Sequence, residues 1–164
     1  MLERICDVVS RKRKIGLGVL AVLIVFCLWY TRPRSFEELA GDGKITFISM
    51  LAMESNPPVG ISVWGLDGNE SHSEIISEAA DILESGKYRA SLINLIPFLS
   101  VPDTTKQVNI DITKDNDFFF WADFSGSTAV FHFDEHEIVY NLNDSVTEKL
   151  FAYTQEFGDQ IENK

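Results

Sequence analysis

Cysteine is almost missing from this chain. Of 164 residues only Cys6 and Cys27 carry a thiol, and both lie ahead of residue 35. A disulfide framework and a cysteine metal site are therefore excluded for the C-terminal 130 residues. Basic residues are scarce there as well. Residues 35–164 hold seven Lys/Arg against twenty-three Asp/Glu, a net charge of −16, whereas residues 1–34 hold seven against Glu3 and Asp7, a net charge of +5. A domain this acidic repels a phosphate backbone, which disfavours nucleic acid as a partner. The first service of such charge is solubility; attraction of cations or of a basic partner is the alternative.

Catalytic signatures are missing too. There is no G-x-S-x-G nucleophile elbow. Gly41-Asp42-Gly43 has no strand before it, so it does not form a phosphate loop. Asp111, Asp115 and Asp117 match part of a calcium-loop spacing, but Phe119 and Phe120 stand where that loop needs an oxygen ligand and a glycine. No repeat and no low-complexity run is present. No cofactor is implied.

What stands out is an uncharged run, Ile15–Tyr30, preceded directly by Arg11, Lys12, Arg13 and Lys14. Sixteen helical residues span roughly 24 Å, short of a hydrocarbon core of about 30 Å. Snorkelling Lys14 and Arg32 would extend the span, and Trp29 and Tyr30 suit the interface. Three readings compete: an uncleaved anchor, a cleaved signal peptide and a buried core helix. The following TRPRSFEEL offers no pair of small residues for cleavage, and Phe26 stands before Cys27 where a lipoprotein signal needs a small residue. An abutting RKRK is foreign to a core helix. The favoured reading is thus a single-pass anchor over 15–31 with the lipid bilayer as its partner. The basic cluster puts the N-terminus in the cytoplasm and the C-terminal domain outside. Residues 1–14 are a stub, with Cys6 a candidate for acylation, and 32–43 are a linker with one helical turn.

Residues 44–160 read as an α+β domain. Ser35 and Glu38 make a capping box for the linker turn, and Ser71 and Glu74 a second. Lys44–Met53 and Val59–Leu66 read as a strand hairpin across Asn56-Pro57-Pro58. Ile75, Ile76, Ala79, Ile82 and Leu83 form a helical stripe ended by Gly86. From Gln107 the period becomes two: Val108, Ile110 and Ile112 alternate with Asn109, Asp111 and Thr113. Phe118–Phe124, bulky on both faces, reads as a central strand; Thr128–Phe133 and His136–Leu142 complete a meander. Val146, Leu150, Tyr153, Phe157 and Ile161 then mark one face of a closing helix. The expected order is ββαββββα: an antiparallel sheet of about six strands with two helices on one face, behind a transmembrane helix.

Two surfaces are candidates for function. His132, Asp134 and His136 would share one face if the chain stayed extended through them, and imidazole with carboxylate is zinc chemistry. Asp134-Glu135 reads as a turn, which would break that alternation. LINLIPFLSV, with Leu92, Leu95, Phe98 and Leu99, is too short to cross a bilayer and reads as packed on the core or as an exposed patch for a protein partner. Asn69 and Asn143 head sequons but look like helix starts.

The arrangement of the basic anchor, the SFEEL turn at Ser35–Leu39, ITFIS at Ile45–Ser49, the meander and IVYNLNDSVTEKLFAYTQEF at Ile138–Phe157 resembles small uncharacterised surface or membrane-anchored domains of Gram-positive bacteria. That resemblance implies no enzyme activity and no catalytic residues. The expected function is a non-enzymatic binding or regulatory module at the cell envelope, with an envelope or membrane protein as partner. The alternatives are an envelope hydrolase or metal-assisted enzyme on His132 and His136, and an acidic domain that binds cations or cell wall.

Overall fold

The bulkiest run of the sequence becomes the middle of a sheet. In the computed structural model Phe119–Ser125 is the fifth of nine strands, every neighbour antiparallel. The structure describes residues 2–56, 60–95, 104–116, 118–133, 136–143 and 145–163; side chains are described for all of these except 2–15, 56, 70, 162 and 163. The chain divides into two units, Met1–Arg32 and Pro33–Lys164.

The first unit is one helix, α1 (Leu2–Tyr30). Its last turn closes at Thr31, whose backbone N–H and Oγ1 both donate to the Cys27 carbonyl, at 2.9 and 2.7 Å. Pro33, lacking an N–H, cannot continue it. Among the described residues no helix is long and apolar enough to cross a membrane. This corrects the reading of residues 15–31 as a bilayer-spanning anchor, with Arg11–Lys14 and with Trp29 and Tyr30 at its two interfaces. The single-pass topology and cell-membrane location derived from that anchor fall with it. The physical reason is length. The uncharged run falls short of a hydrocarbon core by roughly 6 Å, and the helix runs on into four consecutive basic residues rather than more apolar ones.

The second unit comprises β1 (Pro33–Arg34), α2 (Phe36–Ala40), β2 (Ile45–Asn56), β3 (Gly60–Gly68), α3 (Ser73–Glu84), β4 (Tyr88–Ala90), β5 (Lys106–Lys114), β6 (Phe119–Ser125), β7 (Thr128–Phe133), β8 (His136–Asn141), α4 (Ser145–Phe157) and β9 (Asp159–Asn163). Sheet order is β1-β4-β8-β7-β6-β5-β2-β3-β9. The expectation of about six strands is therefore corrected to nine. The additions are β1, β4 and β9, two, three and five residues long. Strands this short carry no readable alternation. β9 also replaces what the stripe through Ile161 assigned to the last helix. That helix stops at Phe157 because Gly158 passes close to the backbone of β3: a Cβ there would lie 2.6 Å from the Gly65 carbonyl oxygen.

Helices α2, α3 and α4 cover one face. α4 buries Val146, Leu150, Phe151 and Thr154, and α3 buries Ala79, Ile82 and Leu83. Trp64 packs edge-on against Phe151 at 5.8 Å. Phe36 of α2 sits 6.1–6.3 Å from the rings of Tyr88, Phe120 and Phe131, which ties the short helix to the core. Lys114 is buried and donates to the carbonyls of Ala40 and Gly41, closing the C-terminal end of α2. Ser35 caps α2 as expected, accepting from the Glu38 N–H at 3.2 Å. Ser71 does not cap α3. Its N–H goes to Asn69 Oδ1 at 3.0 Å, and a 3₁₀ turn over Glu70–His72 intervenes.

Candidate functional site

Within the second unit, no described helix lies on the opposite face of the sheet. Partners across an antiparallel ladder share a face, so the register says which residues meet there. One row crosses six strands: Asp67, Ser49, Asp111, Trp121, His132 and Glu137. The next row holds Gly65, Leu51, Asn109, Asp123, Val130 and Val139. The strands reach this arrangement by plain alternation. Val108, Ile110 and Ile112 of β5 and Phe120, Ala122 and Phe124 of β6 point into the core, which leaves Asn109, Asp111, Trp121 and Asp123 outside. The β6–β7 link is the two-residue turn Gly126-Ser127. Gly126 has φ 54°, the left-handed conformation such hairpin turns favour.

His132 is the best-held side chain of this face. Its ring stacks flat on Trp121, centroids 3.3 Å apart and planes 3° apart. Nε2 lies 3.0 Å from Asp123 Oδ2 and Nδ1 lies 3.3 Å from Glu137 Oε1. A neutral imidazole has only one N–H, so both contacts are hydrogen bonds only when the ring carries both protons. Asp123 Oδ1 accepts from Asn109 Nδ2. Asn109 Oδ1 is buried with no hydrogen-bond partner among the described residues. The Asp111 carboxyl is pushed above the usual carboxylate range, first by burial, then by the charges of Asp123 and Asp67.

The side of this face next to the β9 edge carries an apolar patch beside Asp159. Leu51 and Ile161 close over Gly65, where an added Cβ would lie 2.5 Å from Ile161 Cδ1 and 3.9 Å from Leu51 Cδ1. A bulge in the β3–β9 pairing places Ile161 there.

The sequence-derived candidates separate. His132 and His136 do not share a face. β7 ends at Phe133 and β8 begins at His136, with Phe133 opposite His136 and His132 opposite Glu137. The two-residue link breaks the alternation, so His136 falls on the helix-covered face with Phe133 and Phe131. Asp134 lies outside the described residues. Among the described residues no three His, Cys, Asp or Glu side chains are grouped to hold a metal ion. Leu92 and Leu95 are exposed on a 3₁₀ turn, and Phe98 and Leu99 lie outside the described residues. That turn is docked by Asn94, whose amide donates to the Val139 carbonyl and accepts the Val139 N–H, both at 2.9 Å. Asn94 thereby extends the pairing of β8 beyond the end of β4.

Trp121, Asp111, Asp123 and Glu137 escaped sequence reasoning as a site. Alternation marks each as outward-facing, but only register brings them together. A cavity of about 750 Å³ lies elsewhere, between α3 and the start of β2, and is lined in part by Lys44, Thr46, Ser73, Ser77 and Asp115. Its serines have no histidine among the lining residues, and Asp115 Oδ1 is occupied by the Lys44 N–H at 3.1 Å.

No family model, curated protein or solved structure matches this chain.

Proposed function

We propose that the protein is a non-enzymatic binding module and that the helix-free face of its sheet is the recognition surface. The observation that carries this reading is the row from Asp67 to Glu137: carboxylates, an indole and an imidazole gathered across six strands on a face that no described helix of this unit covers. Trp121 is 40% exposed and Phe119 53%. Large aromatic rings left in water at the centre of a sheet are a common mark of contact surfaces. Catalysis at His132 is the weaker reading. Both ring nitrogens already face carboxylates, so neither is free to move a proton to or from a substrate.

A photo-crosslinking residue placed in living cells tests the surface. It is introduced at Phe119 or Asn141 on the bare face, and at Lys149 or Gln155 on the exposed side of α4. Discrete adducts from the first pair alone are expected. Equal adducts from the α4 positions, or none from the bare face, would overturn the reading.

A further inference from the structure

We propose that the occupant of this face is a basic amphipathic segment of a partner protein. One arginine of that segment lies between the exposed Trp121 ring and the Asp111 carboxylate, and its apolar residues lie over Leu51 and Ile161. The inference rests on the binding-face reading and adds the chemistry of the partner.

Charge is the first argument. Asp67, Asp111, Asp123 and Glu137 stand on this face, and Arg89 is the basic residue among its described strand positions. His132 lies between Asp123 and Glu137 and leaves Asp111 and Asp67 without a described cation. Like charges on neighbouring strands destabilise a sheet, and a bound cation removes that penalty.

The indole selects the kind of cation. One ring face of Trp121 is taken by His132 on β7. On its other side, across the β5–β6 ladder, the neighbour of Trp121 is Asp111, and the residue keeps 40% of its surface exposed. A planar guanidinium can stack on the indole and present N–H groups edge-on to the carboxylate; a lysine ammonium does only one of these well.

The apolar edge argues for a segment rather than a small cation. Ile161 is 65% exposed, and with Leu51 it makes an apolar floor that a polyamine or metal ion would leave unused. From β3 to β6 is three strand spacings, roughly 14 Å. An α-helix covers that in about nine residues. The segment therefore carries its arginine two to three turns from its apolar residues. A nucleic acid is refused by the same charge that admits a basic peptide.

The test uses the full-length chain and calorimetric titration with synthetic helical peptides of about twelve residues. One carries Arg nine positions from a Leu pair. The others replace that Arg by Lys or by Glu, and spermine serves as a pure polycation. The arginine peptide should bind, the lysine peptide several-fold more weakly, and the glutamate peptide not at all. Its affinity should fall as salt is raised, since the contacts are exposed. Trp121→Ala and Asp111→Asn should each cost roughly five- to tenfold. Asp111→Asn relieves repulsion in the free protein, so its loss of binding cannot be assigned to unfolding. Ile161→Ser, at an exposed site, should cost severalfold for the peptide and nothing for spermine. Equal binding of the arginine and glutamate peptides, full competition by spermine, wild-type affinity in the variants, or no peptide binding would each overturn the proposal. Crosslinks from Phe119 and Asn141 with no peptide binding would remove the basic segment and leave the binding face standing; absence of those crosslinks would remove both.

Discussion

Two glycines that meet at the β3–β9 edge should respond very differently to the same added methyl group. At Gly158 a Cβ would lie 2.4 Å from the Thr154 carbonyl oxygen and 2.6 Å from the Gly65 carbonyl oxygen. Both obstacles are backbone. Thr154 is in the last turn of α4, and its carbonyl already accepts the Gly158 N–H at 2.9 Å. Making room means moving α4 and β9 off β3 by roughly half an ångström or more, an overpacking cost of about 1–3 kcal/mol. For a domain of this size that lowers Tm by about 5–10 °C. At Gly65 the nearest atom is just as close, 2.5 Å, but it is Cδ1 of Ile161, the end of an exposed flexible side chain. That methyl can rotate away. Gly65→Ala should shift Tm by less than about 2 °C, helped by the entropy alanine removes from the unfolded chain. Calorimetric or circular-dichroism melting of the two variants decides the matter. Hydrogen exchange adds a local readout: in Gly158→Ala the amides of β3 that pair with β9, Ser62 to Gly65, should exchange faster. Equal losses in the two variants would refute the distinction between a backbone wall and a movable side chain.

Three further outcomes follow from single contacts. Asp111→Asn should stabilise the fold at neutral pH by a few tenths of a kcal/mol, the small size reflecting solvent screening of an exposed group. The sign is set by linkage. Burial, Asp123 and Asp67 raise this carboxyl in the folded state, so its ionisation costs stability as pH rises through the window above about 3.9, and melting curves of variant and wild type should converge below about pH 4. Asn94→Ala removes both 2.9 Å bonds to Val139; it should cost roughly 1–2 kcal/mol in denaturant unfolding and speed exchange of the Val139 amide. Lys114→Met keeps the length of the side chain but strands the carbonyls of Ala40 and Gly41, and should cost roughly 1–3 kcal/mol in the same assay, with the aromatic packing of Phe36 loosening first.

Much of the meander was legible because alternation and short turns are local. Val108, Ile110 and Ile112 announce both the strand and its buried face, and FFFWADF announces a strand with two faces to cover. The α3 stripe is equally local, but its start is not, because Asn69 accepts the Ser71 amide that a Ser71 capping box would need. β1, β4 and β9 were invisible because two to five residues define no period, and their pairing depends on strands far away in the chain. The apolar run misleads for a physical reason: sixteen residues without charge resemble a bilayer span, although their length falls short of one. The site was least legible of all. Register alone places Asp111 opposite Trp121 and Trp121 opposite His132. A slip of one residue would bury Trp121 and expose Phe120. The His132–Asp134–His136 pattern failed for the same reason, since a two-residue link inverts the parity that an unbroken strand would keep.

Register also shows where the sequence works against its own stability. Solubility needs charge on an uncovered face, but it does not need charges of one sign on adjacent strands. Asp111 sits diagonally from Asp123 and in one row with Asp67, and no described lysine or arginine answers them. Asn or Thr at position 111 would keep the strand soluble and remove the repulsion. Glu54 and Lys106 on the helix-covered face show the ordinary solution, a carboxylate with its cation across the ladder at 3.8 Å. Local breaches of this kind concentrate where a protein meets something else. A basic partner of the kind proposed would supply the cation that the sheet itself leaves out, so the charge that weakens the free fold is also what would bind the partner.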